Sequence, residues 1–258
     1  MLEVLDLFYW KQFILALIRM MAFISVMPYF SNVGISNKTK VVFALFFTII
    51  VFPLLPYQNW IIPEKLLSLT FLIFKEILIG VILGFVVNLL FMSIVIMGEL
   101  LGYQIGFTMA TMVDPMSSMN NNILTIFSFV LATTFFLVIN GHYYFIWGMK
   151  ESFIFLPPGI SMIKISILNY LVSLVKHIFV SAIRIGAPAI ATVLFVDVTL
   201  GFIGKVSPKV QIIFVGFPLK IVLGLIALSF IFSVSFKLWK YDVNNLPSVI
   251  SKIFLYVR

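Results

Sequence analysis

Apolar residues run along this chain in stretches longer than any strand, with few turn signals inside them. A helix needs about 20 mainly apolar residues to cross roughly 30 Å of hydrocarbon. Six regions approach that scale: 13–29, 41–55, 66–98, 123–149, 165–203 and 212–236. The second is closed by Pro53 and Pro56, and the third is clean from Ile77 to Gly98 after Lys75-Glu76. The fourth continues past Asn140-Gly141-His142. The fifth is long enough for two helices and breaks naturally at Gly186-Ala187-Pro188, while the sixth carries Pro218 and Lys220 early. Their length selects helix over strand. The expected fold is therefore all-α: a polytopic, membrane-inserted protein of about six hydrophobic helical segments in a single domain over 1–258. A basic, amphipathic tail follows at 237–258. In it Leu246, Val249, Ile250, Ile253, Phe254 and Val257 share one helical face, with Lys252 and Arg258 elsewhere, which suits a membrane surface or a neighbouring subunit.

Composition narrows the class. The chain is 62% hydrophobic and 10% charged, against about 45–50% and roughly 25% for a soluble domain. Its 17 basic and 9 acidic side chains cannot solvate 258 residues, so a water-soluble monomer is excluded, and so is a disordered chain. The net charge of +8 is concentrated late: Lys205, Lys209, Lys220, Lys237, Lys240, Lys252 and Arg258 are opposed by Asp242 alone. Beside so much apolar surface, that end fits anionic lipid or an acidic partner rather than nucleic acid. The absence of cysteine excludes disulfides and thiolate metal sites. The first ten residues lack Lys and Arg and contain Glu3 and Asp6, so a cleavable signal peptide is not expected.

The distribution of charge then argues against a simple bundle. With six spans, the loops at Lys38/Lys40 and Lys205/Lys209 fall on one side, and the tail with Lys237, Lys240, Lys252 and Arg258 falls on the other. Loop charge normally favours one side; here the sides compete. Arg19, Lys75, Glu76, Lys176, His177, Arg184, Asp197 and Lys220 also lie within or beside the apolar runs. Facing lipid each is costly, so interior or water-facing positions with partners are expected, with snorkelling an equal alternative for Lys75 and Lys220. Arg184 and Asp197 flank the expected break and could pair across a hairpin, and His142 is a third buried polar candidate. Small residues mark close helix approach: Gly80 and Gly84 form one G-x-x-x-G, and Gly98, Gly102 and Gly106 form two in tandem. Such grooves are filled either by helices of the same chain or by a separate subunit.

The most distinctive stretch is 106–122, a neutral polar island between two apolar runs. Asp114-Pro115 breaks helix before proline, and Ser117–Asn122 has helix-cap composition, so a new helix could begin near Ile123. Met109, Met112, Met116 and Met119 lie between. Three readings compete: core packing on one helical face, a soft-metal site for copper(I), and a deformable apolar seal, because methionine adapts to irregular neighbours.

The order of several short motifs resembles the FliR family of flagellar export-gate proteins, related to the type III secretion gates of injectisomes. The matching residues are Gly102-Tyr103-Gln104-Ile105-Gly106-Phe107, Met112-Val113-Asp114-Pro115, Asn140-Gly141-His142, Glu151-Ser152-Phe153 and Leu156-Pro157-Pro158-Gly159. Ala187-Pro188, Asp197-Val198-Thr199-Leu200-Gly201, Pro208, Gln211 and Gly216-Phe217-Pro218-Leu219-Lys220 complete a set covering nearly the whole chain. The resemblance implies a structural part of the inner-membrane export gate of the flagellar basal body. In such gates FliR-like, FliP and FliQ subunits, built of tilted hairpins, form a channel for unfolded flagellar proteins, with FlhB at the entrance and FlhA beneath. It also implies a plug loop at 106–122, with Phe107, Met112, Val113, Asp114 and Pro115 matching best. Catalysis is not expected, nor is a cofactor or metal, because no Walker A loop, H-E-x-x-H or G-x-S-x-G occurs. An injectisome homologue is the nearest alternative, and a stand-alone secondary transporter a more distant one.

Overall fold

The computed structural model describes residues 2–30, 35–56, 60–107, 122–159, 164–207 and 212–257. Among them are eight α-helices and no strand: α1 Leu2–Val26, α2 Asn37–Val51, α3 Leu66–Ile105, α4 Ile123–Val138, α5 His142–Phe155, α6 Ser166–Val206, α7 Ile212–Asn244 and α8 Leu246–Val257. A 3-10 turn, Phe52–Leu54, follows α2 at Pro53. All six hydrophobic segments are helical. Four helices among the described residues are long and apolar enough to cross a membrane, or up to five if the bent pair α4–α5 counts as one span.

Helix ends follow local chemistry. The Ser36 hydroxyl accepts the Thr39 N–H at 3.3 Å and starts α2, satisfying one of the donors a helix leaves open. α3 stops at Gly106, whose φ of +92° suits glycine. There the Gly106 and Phe107 N–H groups both reach the Gly102 carbonyl, at 3.2 and 3.1 Å, closing the last turn. α4 starts where Asn122 Oδ1 accepts the Leu124 N–H at 3.0 Å.

Two sequence expectations change here. The segment 123–149 is not one helix: α4 ends at Val138, Asn140 adopts φ +58°, and α5 begins at His142. Asparagine enters the left-handed region at less cost than other side chains, so Asn140-Gly141-His142 is a turn. Conversely, α6 does not break at Gly186-Ala187-Pro188 but continues through Pro188. Proline removes one backbone hydrogen bond and crowds the carbonyl four residues back, a cost that membrane helices tolerate. Pro218 is likewise carried inside α7.

The chain folds into two compact units. Unit 1 comprises Met1–Leu89, Asn140–Val175 and Asn244–Arg258; unit 2 comprises Leu90–Ile139 and Lys176–Val243. In unit 1, Trp60 stacks on Phe153 at 5.4 Å, and Phe52 meets Tyr9, Phe13 and Trp60 edge-on. Buried Leu246, Ile250, Ile253 and Phe254 give α8 the apolar face expected of the tail, with Lys252 exposed. That face, however, closes on α5 of the same chain rather than on a membrane surface or another subunit. Gly148 leaves the room for it, since a Cβ there would lie 2.8 Å from Ile250 Cδ1, and Phe155 stacks on Phe254 at 5.4 Å.

Unit 2 gathers the second part of α3, α4, most of α6 and α7 around Trp239. That indole is fully buried and donates Nε1–H to the Leu90 carbonyl at 3.1 Å, which satisfies its one polar atom. Phe91 and Phe136 surround it. α6 and α7 run antiparallel, linked where Ser235 Oγ donates to the Ile185 carbonyl at 3.3 Å.

Candidate functional site

The strongest polar feature is a buried network in unit 1. Arg19 on α1 and Glu76 on α3 have fully buried side chains, with Arg19 Nε to Glu76 Oε2 at 2.6 Å. Arg19 Nη1 donates to Ser152 Oγ at 3.1 Å, and Nη2 donates to the Leu156 carbonyl at 2.8 Å. The guanidinium also stacks 4.0 Å over the Phe153 ring, whose other neighbour is Trp60. One arginine thus ties three helices through its planar fork and its face. Sequence reading placed Arg19 and Glu76 inside with partners, as found. It named Ser152 and Phe153 only within a resemblance motif, without a role in this network, and did not name Trp60. The available signal was a lone hydroxyl among the aromatic residues that close α5.

A second feature is the α1–α3 seam, also within unit 1. A Cβ on Gly80 would collide with the Arg19 carbonyl and lie 2.8 Å from Ala22 Cβ; on Gly84 it would lie 2.7 Å from the Phe23 carbonyl oxygen. Asn88 Nδ2 extends this seam, donating to the Val26 carbonyl at 3.2 Å. In unit 2 the tandem glycines face α4. A Cβ on Gly98 would lie 2.9 Å from the Leu124 carbonyl oxygen, and one on Gly102 would enter the Asn122 side chain. At Gly98 and Gly102 these grooves are filled from within the chain, the first of the two alternatives the sequence left open. Gly106 serves as the helix terminator described above.

The expected plug, with Met109, Met112, Val113, Asp114, Pro115, Met116 and Met119, lies outside the described residues except at its stems. Phe107 and Asn122 mark those stems. Asn122 rests on Gly102 and donates to the Glu99 carbonyl at 3.5 Å, so the chain leaves α3 and re-enters α4 side by side. Gln104 Oε1 and Thr125 Oγ1, on the two stems, are buried with no hydrogen-bond partner among the described residues.

The remaining polar candidates separate. Arg184 is exposed, not buried. On one continuous α6 it lies about 20 Å along the axis from Asp197, so those two do not pair. Asp197 instead pairs with Lys220 of α7, their side chains 40% and 19% exposed. His142 is half-buried at the start of α5, its Nδ1 buried without a hydrogen-bond partner among the described residues. Beyond the apolar part of α7, burial raises the Asp242 pKa, opposed by a Ser181 hydrogen bond and by the charges of His177 and Arg184.

Fold and sites together define a class: a polytopic, all-α membrane protein whose charged and small residues serve helix packing. No group of three or more His, Cys, Asp or Glu side chains fit to hold a metal occurs among the described residues. Residues 10–246 match the family model described as bacterial export proteins, family 1. The chain is 32% identical over 224 residues to flagellar biosynthetic protein FliR of Pectobacterium carotovorum, covering 86% of this chain and 85% of that protein. It is 30% identical over 221 residues to FliR of Escherichia coli K12, covering 86% and 82%. Against FliR of Buchnera aphidicola from Schizaphis graminum it is 28% identical over 250 residues, covering 96% and 93%. The chain belongs to this export family, among the FliR proteins of flagellar biosynthesis, and is a multi-pass membrane component of flagellar export.

Proposed function

We propose that this chain is a structural component of the flagellar type III export gate in the bacterial inner membrane. It joins FliP and FliQ around a channel for unfolded flagellar proteins, with FlhB at the entrance, FlhA beneath and membrane lipid around, and it carries out no catalysis itself. The observation that carries the reading, beside family membership, is the outer face of α6. Phe195, Phe202 and Val206 stand 75%, 67% and 81% exposed there, with Thr192 and Thr199 exposed among them. Large apolar side chains interleaved with hydroxyls offer a neighbouring helix both packing and hydrogen-bond partners. Mild solubilisation of native membranes tests this. The chain is expected to co-purify with FliP and FliQ, and recovery as a lone monomer or homodimer would overturn the reading.

The loop 106–122 is the proposed plug of the closed channel. Its support is the neutral, methionine-rich, proline-broken sequence, together with stems held side by side at Gly102 and Asn122. Deleting 109–119 is expected to raise ion leak several-fold through an otherwise assembled gate, measured as dye or ion flux in proteoliposomes. Normal assembly with unchanged leak would remove the plug from the proposal.

A further inference from the structure

We infer that the Asp197–Lys220 ion pair of unit 2 is a latch that keeps the end of α3, where the chain enters 106–122, seated against α7. This deepens the plug reading of 106–122 and rests on it. From 185 to 204 on α6 the only charged residue is Asp197, and from 212 to 236 on α7 the only one is Lys220. The single charges of two long apolar stretches therefore meet each other. A pair standing free in water would hold little. Here the lysine side chain is 19% exposed, and removing either partner leaves the other charge uncompensated among apolar helices.

Position along the helices gives the pair its role. α3 and α7 run antiparallel, and two contacts fix their register. At one end Trp239 Nε1 donates to the Leu90 carbonyl. At the other, Gly224 makes room for Ile105, since a Cβ there would lie 2.6 Å from Ile105 Cδ1. Leu90 to Ile105 and Gly224 to Trp239 are the same number of residues, so the two helices stay in step along this seam. Lys220 lies one turn past Gly224, about 6 Å further along the axis. That is the level at which Gly106, with its φ of +92°, ends α3. Pro218 stands two residues before Lys220 inside α7 and deprives that turn of a backbone hydrogen bond. α7 is thus tied to α6 at the point where its own ladder is interrupted. With the tie in place, Gly224 stays under Ile105; without it, α7 is free to bend at the proline and the seat of the loop's stem loosens. A pair that merely joined α6 to α7 could sit anywhere along their contact, but this one sits at the proline and at the stem.

The test uses the complex with its native subunits, in proteoliposomes for dye leak and in detergent for amide hydrogen exchange read by mass spectrometry. Asp197→Asn and Lys220→Met are each expected to raise leak several-fold. Each should also speed exchange at 100–107 and 212–224 roughly 5–30-fold, while α5 of unit 1 exchanges as in the unaltered chain. Lys220→Arg, which keeps the charge, should hold both readouts near those of the unaltered chain. The swapped pair, Asp197→Lys with Lys220→Asp, should recover most of the closure that either single change loses. Unchanged leak and exchange in the single variants, a swapped pair no better than either of them, or equally faster exchange in α5 would each overturn the inference. If a single variant fails to assemble, the swapped pair decides: regained assembly supports the latch, and continued failure overturns it. Deleting 109–119 judges the plug separately, because an unchanged leak there removes the plug, whereas hydrogen exchange reports on the latch without reference to leak.

Discussion

Replacing Arg19 by alanine is expected to destabilise the protein by about 3–5 kcal/mol, the range for stripping one partner from a buried ion pair. The reason is what stays behind. Glu76 is fully buried, its Oε1 already lacks a hydrogen-bond partner among the described residues, and without Arg19 its charge would lose the guanidinium too. In a chain of this size that corresponds to a drop on the order of 10 °C in melting midpoint. Scanning fluorimetry of the purified complex would measure it, with swarming motility as the cellular readout. Glu76→Ala should fall by a similar amount. The double change Arg19→Met with Glu76→Leu should cost far less than the two single changes added together, because an apolar pair needs no compensating charge. A single variant that melts like the unaltered chain, or a double variant at the additive sum, would contradict the account.

The second large effect belongs to Gly80. Its missing side chain lets α3 approach the α1 backbone at Arg19 and Phe23, and backbone cannot move aside as a flexible side chain can. Gly80→Leu should therefore destabilise by at least the ~1–3 kcal/mol usual for overpacking. It should also disturb the Arg19 network one turn away, so that the chain is lost from membranes. Gly201 is the control, because nothing lies within 4 Å of a Cβ there. Gly201→Ala should stabilise the chain by about 0.5–1 kcal/mol through helix propensity. Immunoblotting of membrane fractions compares the two; equal abundance of the Gly80 variant would rule out the seam as a packing constraint.

The sequence made the helices legible because membrane-scale apolar length admits little else. It was less informative where one residue type supports opposite outcomes. Asn140 and Pro188 illustrate this. Proline is the stronger breaker in water, yet α6 runs through Pro188 while the chain turns at Asn140. The difference lies in the backbone: α6 keeps its helix through Pro188, whereas Asn140 takes the left-handed φ of +58° that ends α4. Charges were legible as a need for partners, but not as which partners. Arg19 and Glu76 satisfy each other across 57 residues, whereas Asp197 found Lys220 rather than Arg184, because helix continuity put Arg184 out of reach. The glycine rows revealed close approach without saying to what, since a row of small residues carries no signature of its occupant. The proposed role of the loop rests on its sequence and its stems alone.

The buried arginine also imposes an order in time. Unit 1 is discontinuous, assembled from the beginning, middle and end of the chain. At about 5–20 residues per second of synthesis, Glu76 emerges roughly 3–11 s after Arg19, and Ser152 roughly 7–27 s after it. The charge is therefore neutralised long before its remaining hydrogen bonds can form. Until α8 is made, the α5 surface that it covers stays open, so the half-made chain passes through an interval in which it depends on the insertion machinery or a chaperone for cover.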